Sequence, residues 1–155
     1  MNALTPDRLA QLTVKALERT AFMMSDPVAF DPGAFATATR CAVIRYGGPE
    51  SGIVTLHTTD DFLRGLAANL LGVEPESIDL ASYGEDAIKE LTNIVGGSVI
   101  LELGGHECSY TLGLPQLSTS SNGPSQSSQT CCLDCEGHLL FVTWEPGSVP
   151  VSLAA

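Results

Sequence analysis

The sequence predicts an α+β fold: a two-layer sandwich in which a mainly antiparallel sheet is covered by two long helices plus a shorter one. Two observations carry the prediction. Segments with a 3.6-residue apolar period alternate with pairs of β-branched segments joined by turn residues, and the order is helix, strand, strand, helix, then helix, strand, strand, strand. Segregated hairpins of this kind favour a two-layer α+β domain over a doubly wound sheet. The order also suggests pseudo-symmetric halves, each a long helix followed by a hairpin. A chain of 155 residues is expected to form one domain over residues 1–155, burying about two-thirds of its unfolded surface.

The first helix follows Thr5, an N-cap candidate, with Pro6 at the first helical position and Asp7 complementing the helix dipole. Leu9, Leu12, Ala16, Leu17, Thr20 and Met23 or Met24 recur at helical spacing, and Pro27 ends the pattern. After a loop holding "DPVAFDPG", residues 36–46 and 52–58 read as strands, with "GGPESG" as their turn. Thr59 caps a second helix whose core face is Phe62, Leu63, Leu66, Leu70 and Leu71, closed by Gly72. Ser82 and Glu85 have capping-box spacing, which starts a third helix running to about Gly104. "ECSYTLGLP" then reads as a strand, 117–129 as an exposed mobile loop rich in Ser and Gln, and "TCCLDC" with "HLLFVTWE" as a hairpin about Glu136 and Gly137. The tail "PGSVPVSLAA" is a final strand or disordered.

Composition excludes several functions. Eighteen acidic residues against seven basic ones give a formal charge of −11, which repels phosphate backbones and anionic lipid, so neither nucleic acid nor membrane is an expected partner. No apolar run approaches the roughly 20 residues that span a bilayer, and no secretory signal opens the chain, which predicts a cytoplasmic protein. Cys132 and Cys135 form a C-x-x-C pair without two further ligands at zinc-site spacing. With Cys41, Cys108 and Cys131 they are expected as free thiols. His57, His106 and His138 lie in or beside separate strands without ligand spacing, and no phosphate-binding loop or nucleophile elbow is present.

The third helix carries the chemistry. Ile88, Leu91, Val95 and Val99 form one apolar stripe, and Asp86, Glu90, Asn93 and Gly97 lie opposite. Gly96 and Gly97 together cost a helix interior about 2 kcal/mol relative to alanine. Such a cost fits close approach of another backbone. That is either helix packing, with Glu90 and Asn93 merely solvated, or a surface that docks a partner.

"DAIKELTNIVGGSVI" resembles the signature helix of the CheC/CheX/FliY family of chemotaxis phosphatases. There, Asp or Ser is followed after three residues by Glu, after two more by Asn, and some twenty residues later by Pro. Asp86, Glu90 and Asn93 match, and Pro115 falls within one residue of its place. The order of helices and hairpins over roughly residues 5–145 is also similar, closest to the CheX branch with one working motif. In the first helix, "LERTAFMM" keeps Glu18 but has Ala21 where a second motif would need Asn.

The resemblance implies hydrolysis of the aspartyl phosphate of a CheY-like response-regulator receiver domain, in chemotaxis or two-component signalling. Asn93 would position the attacking water and Glu90 would anchor the receiver, with Gly96 and Gly97 allowing close approach. Asp86 is expected, with Gly96 and Gly97, in the partner-binding contact, and Asp86 and Pro115 are motif positions of structural rather than catalytic weight. No cofactor or metal is expected on this chain; Mg2+ is expected in the partner receiver. A homodimer through sheet edges is also implied. Receiver phosphorylation pockets are acidic, so contact by local fit with little long-range steering is expected. Two alternatives stay open: a non-catalytic adaptor for a receiver or a flagellar switch component, and a structural interaction protein.

Overall fold

The computed structural model describes residues 4–104, 109–118 and 129–147. The chain runs α1 (Pro6–Ala21), β1 (Ser25–Val28), α2 (Pro32–Thr37), β2 (Arg40–Gly47), β3 (Gly52–Thr58), α3 (Asp60–Leu71), α4 (Glu85–Glu102), β4 (Thr111–Leu112), β5 (Gln116–Ser118), β6 (Gln129–Cys135) and β7 (His138–Pro146). A single seven-stranded sheet has the order β1-β6-β7-β3-β2-β4, with β5 also pairing with β2. Every pair is antiparallel. The two hairpins β2–β3 and β6–β7 therefore meet at the centre, and short strands flank them on each side.

Alternation along the strands builds the main core. Ala42, Ile44, Tyr46, Val54, Leu56, Leu133, Leu140, Val142 and Trp144 are buried toward α1, α3 and α4. The indole N–H of Trp144 donates to the Tyr46 hydroxyl at 2.8 Å, so both buried polar groups of this pair are satisfied. The long helices sit crosswise on the halves: α1 packs over β6, and α4 over β2.

Local signals decide most boundaries. The Thr5 hydroxyl accepts from the Arg8 amide, and the Thr59 hydroxyl accepts from the Phe62 amide. Gly72 ends α3 at φ 70°, a left-handed conformation that costs glycine little. Glu136 and Gly137 both have positive φ, as a two-residue turn between twisted strands requires.

Several expectations need correction. Pro27 does not end a helix but lies in β1, an edge strand, where proline is tolerated. The strand expected from residue 36 starts at Arg40, because Pro32–Thr37 forms α2, capped by the Asp31 carboxylate on the amides of Gly33 and Ala34. This helix lies on the opposite face of the sheet, where Phe35 packs edge-on against Phe141 at 5.1 Å. Leu70 and Leu71 are exposed, since α3 turns its last residues away from the core. Ser82 does not cap α4: a wide turn over Leu80–Gly84 precedes it, and Asp79 accepts from the Ala81 amide and the Ser82 hydroxyl. The expected loop over 117–129 yields Leu117 and Ser118 to β5 and Gln129 to β6. Its remaining residues, the tail from residue 148, and Gly105 to Cys108 lie outside the described residues.

Candidate functional site

Helix α4 is amphipathic in the predicted phase. Ile88, Leu91, Val95 and Val99 are each 2% exposed or less. They seat the helix on the sheet, and burying four such side chains fixes its rotation about its axis. Asp86, Glu90 and Asn93 are consequently held in solvent on the far side. None of the three side chains has a hydrogen bond or ion pair to any described residue. Asn93 and Glu90 point within about 60° of each other around the axis. Their neighbour Thr92 is buried, and its hydroxyl donates back to the Ile88 carbonyl at 2.6 Å.

The adjacent glycines face different surroundings. A Cβ on Gly96 would lie 2.8 Å from Ile44 Cγ2 and 3.3 Å from Leu112 Cδ1, so Gly96 admits the sheet, not an outside molecule. The expectation that Gly96, with Gly97, allows close approach of a receiver is corrected accordingly. Gly97 has nothing within 4 Å of its Cβ position and stays on the Glu90–Asn93 side. Pro115 lies half-buried between β4 and β5, two short strands that both pair with β2 beside this contact. The Gly113 amide pins that segment to the Arg45 carbonyl at 2.7 Å.

The first helix does not repeat the arrangement. Glu18 is exposed, but Ala21 is fully buried, so the two do not share a solvent face as Glu90 and Asn93 do. Ala21, where a second motif would need Asn, belongs to the core, and this helix is scaffold. Helix α1 instead runs antiparallel to α4, joined by the Arg8 guanidinium, which donates to both Glu102 oxygens at 2.6 and 2.9 Å. That hydrogen bond holds the Glu102 carboxyl below its ordinary range. Between the helices lies a groove of about 300 Å³, lined by Lys15, Arg19 and Thr20 from α1 and Ile94, Ser98 and Leu101 from α4. Sequence reasoning passed over these cations, although Arg8, Lys15 and Arg19 recur at i, i+7 and i+11, a helical face.

The other candidates scatter. Cys131 and Cys135 face the main core, whereas Cys132 packs with Phe141 on the opposite face, so the C-x-x-C pair is split across the sheet. Burial pushes the Cys131 and Cys135 thiols up to about 12 and Cys132 up to about 11, which keeps them protonated and unreactive. His57 is buried beside Phe35 with Nε2 3.4 Å from Cys41 Sγ, and burial lowers its pKa. His138 is exposed at a turn, and His106 lies outside the described residues. Among the described residues no group of three or more His, Cys, Asp or Glu is placed to hold a metal, and no helix is long and apolar enough to cross a membrane.

The decisive observation is that residues 40–136, which include the whole of α4, match the family model of the chemotaxis phosphatase CheX. The chain belongs to the CheX family. Solved CheX structures share its fold. That from Desulfovibrio desulfuricans is 16% identical, with a TM-score of 0.71 over 90% of this chain and 96% of the other. The Vibrio vulnificus CheX is 15% identical, with a TM-score of 0.72 over 95% of this chain and 100% of that one. The Borrelia burgdorferi CheX, solved as a complex with CheY, BeF3 and Mg2+, is 11% identical, with a TM-score of 0.64 over 90% and 96%. No curated protein matches the chain.

Proposed function

We propose that this CheX-family chain hydrolyses the aspartyl phosphate of a CheY-like receiver domain, with Asn93 positioning the attacking water and Glu90 anchoring the receiver. The observation that carries the proposal is the exposed Glu90–Asn93 line, held opposite four buried apolar residues on one long helix. Two polar side chains left without internal partners on a rigid element are available to a second molecule. Membership of a phosphatase family and the solved complex of a relative with CheY support the choice of partner.

An acyl phosphate needs little from its catalyst beyond positioning and charge stabilisation. The Asn93 side-chain carbonyl accepts a hydrogen bond from water, and its amide group donates to a phosphoryl oxygen. The water oxygen attacks phosphorus in line with the bond to the aspartate oxygen. That bond breaks, its electron pair stays on the receiver carboxylate, and inorganic phosphate leaves. Glu90, one turn back on the same face, pairs with a lysine of the receiver beside the phosphoryl group and sets the docking register. Mg2+ held by the receiver would supply positive charge to the phosphoryl oxygens. Gly97 keeps the helix surface low next to Asn93, and Asp86 borders the same line. Pro115 shapes the segment beside Leu112, whose side chain lies against Gly96.

A homodimer through sheet edges belongs to the same proposal. Among the described residues the edge strands are β1 on one side and β4 and β5, both paired with β2, on the other. Light scattering at the mass of one chain would remove this part.

The test is decay of a phosphorylated receiver mixed with wild type, Asn93→Ala or Glu90→Ala. Wild type should accelerate decay, and Asn93→Ala should lose about 10²-fold or more of that acceleration, the usual penalty for a misplaced reactant. Glu90→Ala should chiefly weaken the complex. Equal spontaneous decay in all samples would sink the phosphatase, and binding without acceleration would favour an adaptor.

A further inference from the structure

Three of the chain's seven cations lie on one face of α1. Arg8 is committed to Glu102 and Gln11. Lys15 and Arg19 are exposed and make no ion pair among the described residues. Both line the groove whose other wall is Ile94 and Ser98, so they stand next to the Glu90–Asn93 line, across one helix contact. In a chain of net charge −11 this is a local exception.

The end of α1 is a second exception. The amides of Phe22 and Met23 both bond to the Leu17 carbonyl, and this closure sets Phe22 at φ 52°. A bulky side chain in the left-handed region is strained, and glycine or asparagine is the usual occupant. Phe22 recovers nothing by burial, because it is 82% exposed. The fold thus holds an aromatic ring in water on an unfavourable backbone, three residues after Arg19, where such strain is most often retained for a contact outside the chain.

We infer that Lys15, Arg19 and Phe22 form the second half of the receiver-docking surface, the two cations facing the carboxylates around the phosphorylated aspartate and Phe22 serving as an apolar anchor. The inference rests on the phosphatase proposal for its choice of partner. Charge complementarity argues for that occupant: an acidic pocket carrying a phosphoryl group is attracted to Lys15 and Arg19, and an acidic second copy of this chain is not. It also revises the expectation of contact by local fit alone, since a small cationic strip beside Asn93 orients an acidic partner at close range even when the net charge repels it.

The experiment measures stability, receiver binding and hydrolysis in the full chain, using a purified CheY-like receiver with Mg2+, loaded with beryllium fluoride for binding and phosphorylated for hydrolysis. Phe22→Gly and Phe22→Asn should raise the melting temperature by about 2–4 °C while weakening receiver binding about 10-fold or more. Opposite signs in the two readouts distinguish a docking residue from a structural one. The double reversal Lys15→Glu and Arg19→Glu should slow association about 10-fold at low salt, a deficit that closes as salt is raised. Both sets should raise KM and leave kcat unchanged. Unchanged receiver affinity in the Phe22 variants, or a lower melting temperature, would overturn the inference, as would loss of self-association with receiver binding intact. If wild type hydrolyses the phosphate and the α1 variants bind normally, the inference alone fails. If wild type binds through Phe22 without hydrolysis, the inference holds and the catalytic proposal fails.

Discussion

The two sides of α4 do different work with similar backbone. On the sheet side, Ile88, Leu91, Val95, Gly96 and Val99 are buried, and Gly96 is small because Ile44 approaches it. On the solvent side, Asp86, Glu90, Asn93 and Gly97 touch no described side chain through a polar bond, and Gly97 has open space where a Cβ would be. The first side determines where the helix lies; the second depends on that placement but contributes nothing to it. A helix held mainly through one face can vary the opposite face without unfolding, which is the requirement for a rigid docking edge.

The largest effect that separates the sides is truncation of the buried one. Leu91→Ala should cost about 2–5 kcal/mol, the range for deleting a well-packed core leucine, because Leu91 is 2% exposed within the main core. Chemical denaturation of Leu91→Ala beside Asn93→Ala measures it. Asn93→Ala should move the midpoint hardly at all while abolishing most of the acceleration. Equal destabilisation by both would mean that the two sides are not independent.

Much of this division was legible from residue spacing, for a physical reason. Ile88, Leu91, Val95 and Val99 repeat at 3.6 residues because α4 rests on a sheet, and a flat support selects a single apolar stripe. Thr59 and Gly72 were equally clear, because capping is local chemistry. What stayed hidden depended on distant partners. Gly96 and Gly97 read alike in sequence, and only Ile44, more than fifty positions away, tells them apart. β1 and α2 are too short to show a period, although Asp31 followed by Pro32 was a usable helix-start signal. Ala21 stands where a second motif would need Asn, and its burial fits a first helix that serves as core scaffold and carries no chemistry. Phe22 carries no local sign of its left-handed backbone, since that angle comes from how α1 turns into β1.

The glycine pair gives a smaller and sharper contrast. Gly96→Ala must move Ile44 or the helix itself, and overpacking of this kind costs about 1–3 kcal/mol. Gly97→Ala meets nothing and should stabilise the helix by about 0.5–1 kcal/mol through backbone entropy. Thermal unfolding of the two variants should therefore shift in opposite directions. Activity should divide them in the reverse sense: the added methyl at position 97 stands beside Asn93 on the proposed docking side and should raise KM, whereas Gly96→Ala should affect hydrolysis only as far as it displaces α4. Stabilisation of both variants would mean that Ile44 gives way freely.

The smallest effect concerns a contact of α4 with its neighbouring helix, the Arg8–Glu102 pair with α1. Arg8 holds the Glu102 carboxyl below its ordinary value through two hydrogen bonds. A carboxylate whose pKa is lower in the folded than in the unfolded state releases its proton more readily when folded. Its contribution to stability is therefore complete above the unfolded value, about 4.3 for glutamate, and is lost as pH falls through the lower folded value. The pair is only partly buried, so the contribution is small and screened by salt. Glu102→Gln should lower the melting temperature slightly at neutral pH and low salt, and the gap from wild type should narrow on acidification and in high salt. A gap independent of pH would mean that position 102 acts through packing of its methylenes and not through charge. Because the groove holding Lys15 and Arg19 lies along this same helix pair, looser coupling of α1 to α4 should also blur receiver association before it alters the hydrolytic rate at saturation.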